Sequence, residues 1–218
     1  MHQHFKIGNI NIGSKGKVFV IAEIGVNHNG KIDLAKKLII KAAEAGADCV
    51  KFQTFSANNL VNKKAIKAPY QIKNTNRKEN QYEMLKKLEL KRKHYPELIK
   101  LCKKKRLVFM STPYNFDDVD FLHKIRVSAF KLSSMHLPET EFIKYVAKKN
   151  KPIIMSTGMG TVEEISTAIN TMRKTKNKKL VLMQCTTNYP AKLKDSNLLV
   201  LPQLKKNSIV APFQIIKS

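Results

Sequence analysis

The stretch VFVIAEIGVNHNGKIDLAKKLIIKAAEAGADCVKFQTF, residues 18–55, decides the fold. VFVIAEIG (18–25) is an apolar, β-branched run that reads as a buried strand. Asp33 then offers a helix N-cap for a helix starting at Leu34. Leu34, Leu38 and Ala42 recur on one face, and Gly46 is a suitable stop. DCVKFQTF (48–55) is a second buried strand. Strand, helix and strand at this spacing predict a βαβ unit with parallel strands and a right-handed crossover.

The same rhythm continues outward. LVFMSTP (107–113), SAFKLSS (128–134), PIIMSTG (152–158) and KLVLMQCT (179–186) read as further strands, and SIVAPFQII (208–216) as a seventh. Helices are expected near 79–88 and 94–105, from about Asp117, over PETEFIKYVAKK, over TVEEISTAINTMRK and over 197–206. FKIGNINIGSKGKVF, with Gly13 and Gly16, alternates like a β-hairpin and is expected to cap the bottom of the fold. Doubly wound sheets and closed barrels share this βα alternation. No GxGxxG follows the first strand, which weighs against a dinucleotide fold. Polar residues crowd the C-terminal ends of six strands: Glu23; Lys51 and Gln53; Ser111 and Thr112; Lys131 and Ser134; Ser156 and Thr157; Gln184 and Thr186. A (β/α)8 barrel gathers such ends at one mouth, so an α/β barrel is predicted, incomplete at six to seven strands. The expected organisation is a hairpin over 1–17, a partial barrel over 18–206 and a divergent tail over 207–218.

Composition narrows the function. The 218 residues fall a little short of a typical barrel of about 250. No apolar run approaches membrane-spanning length and the N-terminus has no signal core, so a cytoplasmic protein without membrane contact is expected. Cys49, Cys102 and Cys185 form no CxxC pair or zinc spacing and read as buried or half-buried thiols. The formal charge is +25, from 41 basic and 16 acidic residues. The lysines are spread over nearly every helix, with no aromatic-interleaved RNA motif and no zinc finger. They therefore read as a solvated surface that draws anions toward a cleft, with no nucleic-acid partner.

Lys51 and Lys131 lie inside apolar strands, where a lysine is expensive unless it meets an anion. Glu23 and Asp48 are the scarce strand acids. The two lysines could form an internal ion pair, hold a ligand's phosphate or carboxylate, or supply a Schiff-base nucleophile. Ser111, Thr112, Ser134, Ser156 and Thr157 add hydroxyl donors. His28, in the loop Asn27–Gly30, reads as a histidine that orients its neighbours.

The segments IAEIGVNHNGKIDLAKKLI, GADCVKFQTF, FMSTP, FKLSS, KPIIMSTGMGTVEEI and LMQCTTNYP resemble, in order and spacing, the N-terminal barrel of the sialic-acid synthase family over roughly residues 18–206. That family includes N-acetylneuraminate, legionaminate and pseudaminate synthases. KAPYQ and ENQYEMLKKLEL are more similar to the first two types. The resemblance implies condensation of phosphoenolpyruvate (PEP) with an open-chain N-acetylmannosamine-type sugar, aided by Mn2+ or Mg2+, in a homodimer. It implies Lys51, Thr112, Lys131, Ser134 and Ser156 around the PEP phosphate and carboxylate. Glu23 and Gln53 would face the sugar, with Thr187 and Tyr189 near the ligand. Under that mechanism no Schiff base is needed.

The chain departs from the family pattern in three places. A family acid follows the strand-four serine by two residues, whereas Ser134 is followed by Met135 and His136. An imidazole there exchanges protons but carries no fixed negative charge, which implies weaker or altered sugar binding. The family's metal-binding histidines, in Ser-Asp-His and Arg/Lys-His-Phe motifs, have no counterpart, so no metal site is carried over. Strand eight and the small C-terminal domain are also missing. The change of sequence near residue 207 therefore reads as truncation, with a shortened functional variant or a complementing second chain as the alternatives; the function expected is the synthase condensation, with a truncated, catalytically inactive barrel fragment as the alternative reading.

Overall fold

The computed structural model describes residues 4–13, 17–67, 71–72, 79–186, 191–207 and 215–216. β1 (Phe5–Ile7) and β2 (Ile10–Ile12) pair antiparallel as the N-terminal hairpin. Its turn is Gly8–Asn9, and Gly8 has a φ of +60°. A Cβ at Gly8 would stand 2.9 Å from Val108 Cγ2, so the bare glycine lets the turn press against the start of a sheet strand.

The main sheet takes β3 (Ile21–Gly25), β4 (Cys49–Thr54), β5 (Val108–Pro113), β6 (Phe130–Leu132), β7 (Ile153–Ser156) and β8 (Leu180–Met183). They pair in sequence order, all parallel, as the βαβ rhythm predicts. The seventh member corrects the expectation for 208–216. Only Ile215–Ile216 of that segment is described, as β9, and it pairs with β3 rather than β8. It extends the sheet beyond the first barrel strand, and among the described residues β8 and β9 are the two edges.

The connecting helices are α1 (Ile32–Glu44), the short α2 (Ala57–Leu60), α3 (Gln81–Leu88), α4 (Tyr95–Lys104), α5 (Phe116–Lys124), α6 (Thr140–Lys148), α7 (Val162–Arg173) and α8 (Val200–Asn207). Their starts follow local capping chemistry. Asn80 and Glu83 form a capping box on α3, Thr161 and Glu164 one on α7, and the Asn115 side chain accepts from Asp118 N–H on α5. α1 differs from expectation: it starts at Ile32 after Lys31, with no side-chain cap, and Asp33 sits in its first turn, where its charge suits the helix dipole. Its buried face is Ala35, Ile39 and Ala42, flanked by the partly buried Leu38. Gly46 does end it, at a φ of +79°.

Strand alternation divides the core in two. Outward residues such as Val50, Phe52, Phe109, Phe130, Leu132, Ile153 and Leu182 pack with the helices in one large cluster. Inward residues Ile21, Cys49, Met110, Ala129, Ile154 and Val181 form a second cluster with Ile7 and Ile12 of the hairpin and with Phe19. The hairpin therefore plugs the interior of an open β/α barrel from the N-terminal ends of its strands.

Candidate active site

The inward positions above that plug are polar. Glu23 pairs in register with Lys51, and Gln53 with Thr112. Ser111 pairs with Phe130, so Thr112 and Lys131, one residue further along each strand, lie side by side. Ser156 pairs with Met183 one strand beyond. Six residues predicted at the mouth, Glu23, Lys51, Gln53, Thr112, Lys131 and Ser156, thus share one sheet face near the C-terminal strand ends.

Lys51 Nζ lies 2.6 Å from Glu23 Oε2 and donates to Thr112 Oγ1 at 3.4 Å. Lys131 Nζ donates to the Leu132 carbonyl at 2.8 Å and to Ser156 Oγ. Both lysines are buried, at 5% and 4% exposure. The two heads differ, because Lys51 has a carboxylate and Lys131 has only neutral acceptors. Burial lowers the Lys131 pKa from 10.5 to about 7, with the nearby Lys51 charge adding to the effect and Cys185 and Glu23 opposing it. An ammonium has three N–H donors. Among the described residues these bonds occupy two on each lysine, leaving each with a donor for a ligand. Cys185 Sγ–H donates to Ser156 Oγ at 3.2 Å. With both lone pairs of Ser156 taken, its own O–H is free to donate as well.

Glu23 Oε1 is buried without a hydrogen bond. A Cβ at Gly25, whose φ is +53°, would lie 3.1 Å from Glu23 Oε1 and 3.7 Å from Gln53 Nε2. Glycine leaves room for both side chains at this point and supplies the left-handed backbone.

The other predicted residues separate. Ser111 is buried on the outward face, where its hydroxyl shares a 2.6 Å hydrogen bond with Thr54 Oγ1, which in turn shares one of 2.9 Å with Tyr95 on α4. It cannot join the mouth, because one residue of offset reverses a strand side chain. Thr157 spends its hydroxyl on the Met183 carbonyl at 2.9 Å. Ser134 is half-buried at the start of the 3-10 turn Ser134–His136. His136 is buried, with Nδ1 2.8 Å from Glu139 Oε2. Thr187 and Tyr189 lie outside the described residues. His28 stacks on Phe52, its Nδ1 accepts from Gly30 N–H at 3.0 Å, and burial lowers its pKa. It orients its loop, as expected.

Two partners were not read from sequence. Cys185 reads in the sequence as a buried or half-buried thiol, and alternation two residues beyond Met183 points it inward. Glu139 stands three residues after His136, the spacing at which one helical turn brings side chains together.

The metal that the family resemblance implies finds no set of ligands among the described residues. No cluster of three or more His, Cys, Asp or Glu that could hold an ion occurs among the described residues.

Residues 38–211 match the NeuB family. The chain is 46% identical over 191 residues to the N,N'-diacetyllegionaminic acid synthase of Campylobacter jejuni, covering 87% of this chain and 57% of that protein. To the synthase of the same name from Legionella pneumophila it is 42% identical over 196 residues, covering 88% and 55%. The chain thus spans about half the length of these curated relatives. The crystal structure of the N-acetylneuraminic acid synthetase from Leptospira borgpetersenii, solved in complex with citrate, superposes with a TM-score of 0.84 at 28% identity, covering 99% of this chain and 69% of that one. The open parallel barrel, its polar mouth and these likenesses lead to one statement of kinship: the chain belongs to the NeuB family.

Proposed function

We propose that this barrel binds PEP and condenses it with an N-acetylmannosamine-type amino sugar to give a nonulosonic acid and phosphate. The observation that carries the proposal is the pair of buried lysines on the inward face of β4 and β6, either side of Thr112 on β5, each with an N–H to spare beside hydroxyl donors. Positive charge and convergent donors in a water-poor site suit a small, highly charged anion. Lys51, Thr112, Lys131, Ser134 and Ser156 grip the phosphate and carboxylate. Glu23 and Gln53 face the sugar's reacting end, and His136 contacts the rest of it; Thr187 and Tyr189 are near the ligand by resemblance to the family alone. The similarity to two legionaminic acid synthases favours a sugar of that type over a pseudaminate-type one.

In the proposed reaction C3 of PEP forms a carbon–carbon bond to the sugar aldehyde, whose oxygen takes up a proton. Water adds at C2, the C2–O bond to phosphate breaks, and phosphate leaves. The residues described here bind and orient the enol phosphate and support the charge on its leaving group. No step is assigned to a metal.

Among the described residues β8 and β9 are edge strands and no metal cluster occurs, which favours a second reading: a barrel segment that binds PEP without turning it over. One experiment separates the two. The protein is incubated with PEP and N-acetylmannosamine, with and without manganese, and phosphate is measured alongside calorimetric PEP binding. Sugar-dependent phosphate release supports the synthase, and binding without release supports the second reading. Absence of PEP binding overturns both.

A further inference from the structure

Glu139 occupies the N-cap position of α6, yet its side chain caps nothing there. Its Oε2 instead lies 2.8 Å from His136 Nδ1. A carboxylate accepts hydrogen bonds and gives none, so Nδ1 carries the proton. In a neutral ring the lone pair then falls on Nε2. That nitrogen is buried, in a residue only 1% exposed, and has no hydrogen-bond partner among the described residues. The ring centroid is 4.4 Å from that of Phe142 and 6.0 Å from that of Tyr114, which follows the end of β5. A buried acceptor left without a donor is costly. Glu23 Oε1, on the same C-terminal side of the sheet, is in the same condition.

Two unsatisfied acceptors call for a ligand that brings donors. The ionised phosphate and carboxylate of PEP bring none. A 2-acetamido polyol brings several hydroxyls and an amide N–H. We infer that Glu139 is a positioning residue that fixes a His136 proton on Nδ1 and leaves Nε2 as a hydrogen-bond acceptor, and that His136 Nε2 and Glu23 Oε1 receive donors from the sugar substrate. The inference rests on the synthase reading and deepens it. The negative charge that His136 lacks stands behind it at Glu139.

The test begins with the ring itself. Nitrogen-15 NMR of the imidazoles in the full chain, at pH 8, is expected to show His136 protonated at Nδ1. The tautomer should be lost in Glu139→Ala and kept in Glu139→Gln, whose amide oxygen still accepts. Titration with N-acetylmannosamine in the presence of PEP should then shift the wild-type Nε2 signal. Sugar affinity should fall about tenfold in Glu139→Ala and stay near wild type in Glu139→Gln. PEP affinity should be unchanged in both. A wild-type ring protonated at Nε2 or on both nitrogens overturns the inference. So does a sugar that leaves Nε2 unmoved, or one that binds wild type and Glu139→Ala alike. PEP binding is measured separately, so failure of the synthase reading shows as lost PEP binding and is distinct from a wrong tautomer.

Discussion

The two ends of the barrel interior use the same strands for opposite ends. At the bottom, Cys49, Met110, Ala129 and Ile154 meet Ile7 and Ile12 of the hairpin in a dry apolar cluster. Two residues further along three of those strands stand Lys51, Thr112 and Lys131, and Ser156 follows Ile154 in the same way. The backbone pairing is alike at both levels, so the difference lies in what each layer asks of its environment. The lower layer is complete in itself. The upper one carries donors and acceptors that the described residues only partly satisfy, which is the condition of a site awaiting a ligand.

The contrast is open to direct attack. The largest effect is expected at the bottom: Ile12→Ala should cost about 3 kcal/mol in urea unfolding while leaving PEP affinity unchanged. A change in affinity would mean that the plug and the mouth are one unit. Next, Lys131→Met should lower PEP affinity about 100-fold by calorimetry and raise the melting temperature, since a poorly paired buried ammonium is removed. Wild-type affinity in that variant would erase the functional meaning of the upper layer.

Proton linkage gives a third test. The Lys131 pKa is lowered from 10.5 to about 7 in the folded chain, so between those values the unfolded chain holds the extra proton. Stability should therefore rise with pH across that window as far as this group contributes. An anion recruits the charged form, so PEP affinity should fall roughly tenfold from pH 7.5 to 8.5. The binding enthalpy should vary with buffer as a proton is taken up. A flat profile would mean that Lys131 is charged throughout. The smallest effect belongs to Ser111→Ala, expected to cost about 1 kcal/mol through its lost bond to Thr54 and to leave PEP binding intact. Weakened binding would place Ser111 on the wrong face of the strand.

Legibility in the sequence followed the physics of each residue. The six barrel strands were readable because buried parallel strands are short apolar runs with β-branched residues, and Lys51 and Lys131 stood out against them. The face a hydroxyl occupies was harder to read. Ser111 and Thr112 are adjacent and both polar, and it is the register of the strand and the chain of bonds from Ser111 through Thr54 to Tyr95 on the helix layer that show Ser111 to belong to the scaffold. The place of β9 was out of reach, because two isoleucines do not say which edge they will join. Asp33 was overvalued as a cap because α1 begins one residue before it, where dipole and backbone suffice. Glu139 is an ordinary surface acid until the fold turns His136 toward it.

The strand order β8-β7-β6-β5-β4-β3-β9 has a mechanical consequence. Its middle strands are β6, β5 and β4, the three that carry Lys131, Thr112 and Lys51. Any change of curvature starts at the flanks, where among the described residues the backbone amides have no strand on one side, and is damped toward the centre. Amide exchange should accordingly be slowest on β4, β5 and β6 and fastest on β8 and β9. The spacing of the two ammonium groups is thus set in the stiffest part of the sheet, however much its margins breathe.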